Sequence, residues 1–326
     1  MSVQAEEKTL WLPAGLLIAV LSGVLMPLQG RANGALATAV GDSFVSSFIS
    51  FGSGLIIVVI ALLLSRKART AIRLMPNMLK DKKFPWWYML AGVIGAYFVV
   101  GQGLTVTTLG IALFTVANVA GQTVSGLFTD AIGFGPGGKR PITGIRLIGS
   151  VLALVGVAWA VSPKFAGQGF HADWLLPILL PLSAGLLFAF QQAMNGTQTR
   201  HYGTALPATF FNFVSGTIVL GVVVMIETQG KAIPGHFPTE WWMYTGGLIG
   251  AIFVATGAIL VRHMGVLLTG LGLVAGQLLG SLLLDVVAPV AGSKVEVTTV
   301  LGTLLTLVAV SIASIPPTAR MPWEKR

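Results

Sequence analysis

Gln29 and Asn33 stand four residues apart in the run MPLQGRANGALATAVGDSF (26–44), and Gln191 and Asn195 stand four apart in FAFQQAMNGTQTRHYGTAL (188–206). Residues four apart share one face of a helix. Both pairs interrupt otherwise apolar runs. A carboxamide left unpaired in hydrocarbon costs several kcal/mol, so it must face another helix, a water-filled cavity or a substrate. Gln122 and Gln277 fall at the centres of two further apolar runs, where a membrane midplane would lie. Hydrogen bonding between helices and lining of a substrate pathway are both open for the paired amides. For Gln122 and Gln277 the pathway role is favoured. Gln102 and Asn118 are further candidates for substrate contact, with no amide at the matching positions of the second half. No acidic residue is expected at the midplane, which gives proton coupling through a central carboxylate little support.

The elements that hold these residues follow from composition. The chain has 326 residues, is 54% hydrophobic, has a mean hydropathy of +0.84, and carries only 10% charged residues. A soluble domain carries about 25% charged residues, so the bilayer is the expected solvent. Spans of roughly 20 apolar residues are expected near 10–30, 43–64, 86–106, 110–133, 143–162, 174–196, 205–226, 241–261, 265–288 and 298–315. A retained first span is expected rather than a cleaved signal peptide, because Glu6 and Glu7 spoil the charged leader. Trp86-Trp87 and Trp241-Trp242 suit membrane interfaces. Asp42 suits a helix N-cap, and Pro316-Pro317 suit the end of the last span.

The net charge of +9 is orientational and does not point to nucleic acid. Basic residues avoid the apolar runs. If the connection 65–84, with seven Lys or Arg, is cytoplasmic, alternation places 16 of the 20 basic residues on that side. Only Arg31, Lys164, Lys231 and Lys294 fall outside, and both termini are expected in the cytoplasm. With no cysteine, disulfides, thiolate metal sites and a catalytic thiol are excluded. No H-E-x-x-H, G-x-S-x-G or Walker motif occurs, so neither an enzyme nor direct use of ATP is expected, and no cofactor or metal is.

The chain is duplicated. A shift of 162 carries Gly23, Gln29, Asn33, Gly34, Gly41, Phe48, Phe51, Ser53 and Gly54 onto Gly185, Gln191, Asn195, Gly196, Gly203, Phe210, Phe213, Ser215 and Gly216. That is nine identities in 32 positions, where composition would supply roughly two or three. Beyond the long basic loop the shift becomes 155. It carries Trp86, Trp87, Gly92 and Gly95 onto Trp241, Trp242, Gly247 and Gly250, and Gln122 and Asp130 onto Gln277 and Asp285. Residues 1–162 and 163–326 are therefore two five-span repeats. Five is odd, so the second enters the membrane from the opposite side, an arrangement common in secondary transporters. Inversion places Asp130 and Asp285 at opposite mouths, where they would gate or cap. Small-residue stripes such as Gly272, Gly276 and Gly280 suit close helix packing.

The pattern Q-x3-N-G, the strip F-x2-F-x-S-G, and AGQTVSGLFTD (120–130) with the basic loop after it resemble the YdcZ family of the drug/metabolite transporter superfamily. AGQLLGSLLLD in the second half keeps Gln277 and Asp285 but lacks the phenylalanine and the basic loop. The resemblance implies a fold and a transporter class, a bacterial inner-membrane exporter, and no substrate. With the ten spans it gives the expectation of an all-α protein of ten transmembrane helices that transports a small metabolite. The expected partners are membrane lipid and a small-molecule substrate of unknown identity, and a homo-oligomer is left open. The competing readings are a flippase for a lipid-like substrate and an accessory membrane subunit.

Overall fold

The computed structural model describes residues 2–136, 138–139, 141–162, 175–229, 237–264, 266–289 and 296–313. Among them the regular structure is helical, without strands. The helices are α1 (Ser2–Val40), α2 (Ser43–Leu64), α3 (Arg66–Lys80), α4 (Ala91–Leu109), α5 (Ile111–Ile132), α6 (Gly144–Val161), α7 (Leu175–Tyr202), α8 (Leu206–Thr228), α9 (Gly246–Met264), α10 (Val266–Val287) and α11 (Val297–Ala313). Each expected span coincides with one of these helices. Among the described residues, six segments are long and apolar enough to cross a membrane: Pro13–Val40, Ser43–Leu64, Trp86–Leu109, Ile111–Ile132, Leu175–Tyr202 and Leu206–Thr228. Gly144–Ala160, Gly272–Val287 and Val297–Ile312 are shorter apolar helices. Exposed leucine, isoleucine and valine side chains, among them Leu21, Ile60, Leu187, Ile226 and Val308, coat the outside. This is an all-α membrane protein.

Two helices run past their expected ends. α1 continues to Val40 and α7 to Tyr202, which brings Asn33, beyond the expected end of the first span, into the same helix as Gln29. Each stops at a glycine with positive φ, Gly41 (+77°) and Gly203 (+70°). Glycine takes this left-handed C-terminal position without a Cβ penalty. Asp42 then caps α2 as expected, its Oδ1 accepting from Phe44 N at 2.7 Å and Val45 N at 3.0 Å.

The basic connection 65–84 is not a simple loop. It folds as α3, capped by Ser65. Ala68 and Ala71 are buried, and Ala71, with Met75, Met78 and Leu79, packs on the ends of α7 and α8 through Phe84, Tyr202 and Ala208. The two tryptophan pairs each begin a single 3-10 turn, Trp86–Leu90 and Trp241–Thr245, that leads into α4 and α9. Trp86 and Trp241 are largely exposed. Lys164, His171, Lys231, His236, Lys294 and Pro316-Pro317 lie outside the described residues.

The two halves interlock by exchange. α1 packs along α9 and α10, and α7 packs along α4 and α5. α2 meets α8, where Phe51 and Phe213 touch with ring centroids 5.2 Å apart. Phe51 lies over Gly216 and Phe213 over Gly54, leaving no room for a Cβ at either glycine. These four residues are matched by the 162-residue shift. Close van der Waals packing at small residues supplies contact where lipid offers no hydrophobic drive between helices.

Candidate functional site

Two buried amide clusters result from this exchange. In the first, Asn33 Nδ2 donates to Gln102 Oε1 at 2.8 Å, and Ser46 Oγ donates to the Asn33 carbonyl at 3.1 Å. Gln29 lies beside them on α1, at 6% exposure against 0% for Asn33 and 1% for Gln102. The far wall is α9. A Cβ at Gly250 would come 2.7 Å from Gln29 Nε2, and one at Gly246 would overlap Asn33 Oδ1. In the second cluster, Asn212 Oδ1 accepts from Gln191 Nε2 at 2.8 Å and Asn195 Nδ2 at 3.3 Å. A Cβ at Gly95 of α4 would come 2.7 Å from Gln191 Nε2.

Gln29 on Gly250 and Gln191 on Gly95 are thus the same contact made twice, each half supplying the amide to the other's glycine. The third amide is not duplicated. Gln102 closes the first cluster from α4, with Gly257 at its matching position. Asn212 closes the second from α8, where Ser50 is the match. Asn212 escaped the sequence reading because it has no partner amide in the duplication; its signal was the one amide inside FFNFVSG. Gln198 was also missed. Its buried Nε2 donates to the Tyr88 carbonyl at 2.8 Å and ties α7 to the turn before α4.

All of the expected amides but Gln122 are buried. Asn118, Gln191, Asn195 and Gln277 are 2–6% exposed, and Gln122 is half-buried. Several remain only partly satisfied: Asn33 Oδ1, Asn118 Oδ1, Gln122 Nε2, Gln191 Oε1 and Asn195 Oδ1 are buried without a hydrogen-bond partner. Leaving such an atom unpaired costs about 1–3 kcal/mol, so each is a place where a water or solute gains a bond. One shared chamber linking all the amides is not formed by direct bonding. Among the described residues no side-chain hydrogen bond joins the two clusters to each other or to Asn118, Gln122 or Gln277.

Gln122 and Gln277 sit instead at two close helix crossings. At the α1–α10 crossing a Cβ on Gly23 would come 2.8 Å from Gly276 Cα and 3.0 Å from Gln277 N. At the α5–α7 crossing a Cβ on Gly185 would come 3.0 Å from Gln122 N and would overlap the Asn118 carbonyl oxygen. The crossings are mates under the duplication.

The two aspartates differ. Asp285 is buried and caps α5 of the other half, Oδ1 accepting from Ile111 N at 3.1 Å and Oδ2 from Ala112 N at 2.8 Å. Gly110, with φ +83°, makes the break that exposes these amides. A carboxylate also suits the positive end of the helix dipole. Asp130 is paired with Arg146 of α6 at 2.6 Å and is about one-third exposed. The expected symmetry fails because Leu301 stands where the mate of Arg146 would be. Asp285→Ala should therefore lower stability by about 1–2 kcal/mol through the lost cap. Asp130→Ala, at a partly solvated pair, should cost less than about 1 kcal/mol. Unfolding of both variants in detergent measures the difference.

Comparison with known proteins adds the identity of this architecture. The Escherichia coli (strain K12) inner membrane protein YdcZ is 32% identical over 113 residues, which is 34% of this chain and 75% of that protein. A protein of known crystal structure superposes over 92% of this chain and 95% of its own, with a TM-score of 0.57 at 18% identity, a likeness of fold alone. The sequence model of the family described as "Putative inner membrane exporter, YdcZ" matches residues 14–159 and again 176–312. The chain therefore belongs to the YdcZ family of membrane transporters and carries the family's unit twice.

Proposed function

We propose that this chain is a secondary transporter, an exporter of a small metabolite from the cytoplasm, working by alternating access with ten transmembrane helices arranged as two inverted repeats. The observation that carries the reading is the pair of matched helix crossings, each holding a glutamine, in a molecule whose two buried amide clusters keep unpaired polar atoms. A scaffold needing only rigidity would satisfy those atoms. Two matched crossings built by exchange of helices support a mechanism in which the halves trade conformations. The buried amides, with no acidic or basic side chain among the bonded members of either cluster, suit a substrate that is polar and hydrogen-bonding. They give a lipid-like substrate or a purely accessory role less support.

Topology is tested directly, because the chain has no cysteine of its own. Lys139→Cys and Glu240→Cys are both at exposed positions. A membrane-impermeant maleimide added outside the cell should label Glu240→Cys and spare Lys139→Cys until the membrane is opened. Equal labelling of the two from outside defeats the inverted arrangement. Binding is tested by a metabolite screen on purified protein. A true substrate at about 100 times its Kd should add about 2.7 kcal/mol of stability. Failure of every polar metabolite in a broad set to raise Tm counts against the reading.

A further inference from the structure

The half of the molecule nearest α3 carries an apolar groove that the duplication does not require. It holds about 480 Å³ of open space and is lined by Trp87, Leu90 and Ile94 on one side and Leu187, Phe190 and Met194 on the other, with Phe134 at its end. Trp87, Leu90 and Leu187 are 40–44% exposed, so the groove opens outward, toward lipid. The lining departs from the repeat. Leu28, Ala32 and Pro289 stand at the positions matching Phe190, Met194 and Phe134. Phe134 contacts Trp87, Tyr88 and Phe190 with ring centroids 5.3–5.8 Å apart, which fixes the groove's end wall.

That end wall has a cationic rim. Arg200 is exposed and donates from Nη1 to the Pro136 carbonyl at 2.8 Å, two residues beyond Phe134. Lys139 is exposed and lays its stem against Gly133, one residue before Phe134. Lys83 is exposed one residue before Phe84, whose ring lies 6.0 Å from that of His201, the neighbour of Arg200. Thr38, which spends its hydroxyl on the Gly34 carbonyl, occupies the position matching Arg200. An apolar slot that ends under clustered cations matches one kind of molecule, with an apolar tail and a negatively charged head.

We propose that this groove is a binding site for one anionic phospholipid, with an acyl chain along Leu187 and Phe190 and the phosphate at Lys139 and Arg200. A lysine or arginine near an anionic headgroup adds attraction to what chain burial supplies, and guanidinium has the donor geometry for phosphate. The site is independent of what the chain transports, so its failure leaves the transport reading untouched, and the reverse also holds.

Native mass spectrometry of the full-length protein in mild detergent tests it, with phosphatidylglycerol or phosphatidylcholine added at equal concentration. Phosphatidylglycerol should give a one-to-one adduct where phosphatidylcholine gives little. The double variant Lys139→Gln/Arg200→Gln should weaken the phosphatidylglycerol adduct about thirtyfold and leave phosphatidylcholine unchanged. Leu187→Trp, which fills the groove from an exposed position, should weaken both. Equal retention of the two lipids by the unaltered protein overturns the proposal. So does an undiminished phosphatidylglycerol adduct in the charge variant, or one in Leu187→Trp.

Discussion

Gly185→Leu should abolish recovery of folded protein, and Gly23→Leu should do the same at the mated crossing. The reason is geometric. At Gly185 a Cβ meets the Asn118 carbonyl oxygen and the Gln122 amide nitrogen, and at Gly23 it meets the Leu273 carbonyl oxygen and Gly276 Cα. All of these are backbone atoms of a facing helix, so no rotamer change relieves the overlap. Overpacking a core costs about 1–3 kcal/mol when side chains can shift. Here the helices themselves must separate, so the cost should exceed that range and take up much of a total stability of about 5–15 kcal/mol. The controls are Gly52 and Gly126, where a Cβ meets no heavy atom within 4 Å. Leucine at either should leave a monodisperse protein with Tm within a few degrees of the parent. Gel filtration and thermal unfolding of the four variants settle the matter. Equal behaviour of crossing and control variants would mean that the exchange of helices between halves is not what holds the molecule together.

Much of this packing was legible in the sequence, and the parts that were not share a cause. Duplication revealed Gly23 and Gly185, and Gln122 and Gln277, as mates, and identity at fixed offset is a signal that needs no geometry. The same signal paired Gln29 with Gln191. It was silent where the halves differ. Asn212 completes the second cluster from a position whose mate is Ser50, and Gln102 completes the first from a position whose mate is Gly257. Asp130 and Asp285 were matched by offset yet do different work, because the partner that separates them, Arg146, lies on another helix with Leu301 as its counterpart. Helix length was misread for α1 and α7, since a hydropathy window closes at the first polar cluster while the backbone continues to the next residue that can take positive φ. α3 was passed over for its charge. Ala68, Ala71, Met75 and Met78 already formed the apolar stripe of an amphipathic helix.

Gln122→Leu combined with Gln277→Leu should leave a folded, membrane-inserted protein that moves no solute, and it is the sharpest test of the proposed pathway. Leucine is close to glutamine in volume and removes the polar atoms without opening a cavity. Gln122 Nε2 is buried with no partner, so replacing it removes an unpaid desolvation cost, and stability should hold or rise slightly. A purely structural amide predicts the opposite pattern, a fall in stability with flux preserved in whatever protein survives. If each glutamine makes one hydrogen bond to the passing solute, its loss costs about 1–3 kcal/mol, or about 5- to 150-fold in binding. The double variant multiplies the two, and the single variants should each fall between it and the parent. Ligand-induced rise in Tm and flux into proteoliposomes, compared at equal protein levels, read binding and transport separately. Unaltered flux in the double variant excludes these glutamines from the pathway, and the unpaired atoms of the two amide clusters would then be the remaining place for the solute to bind.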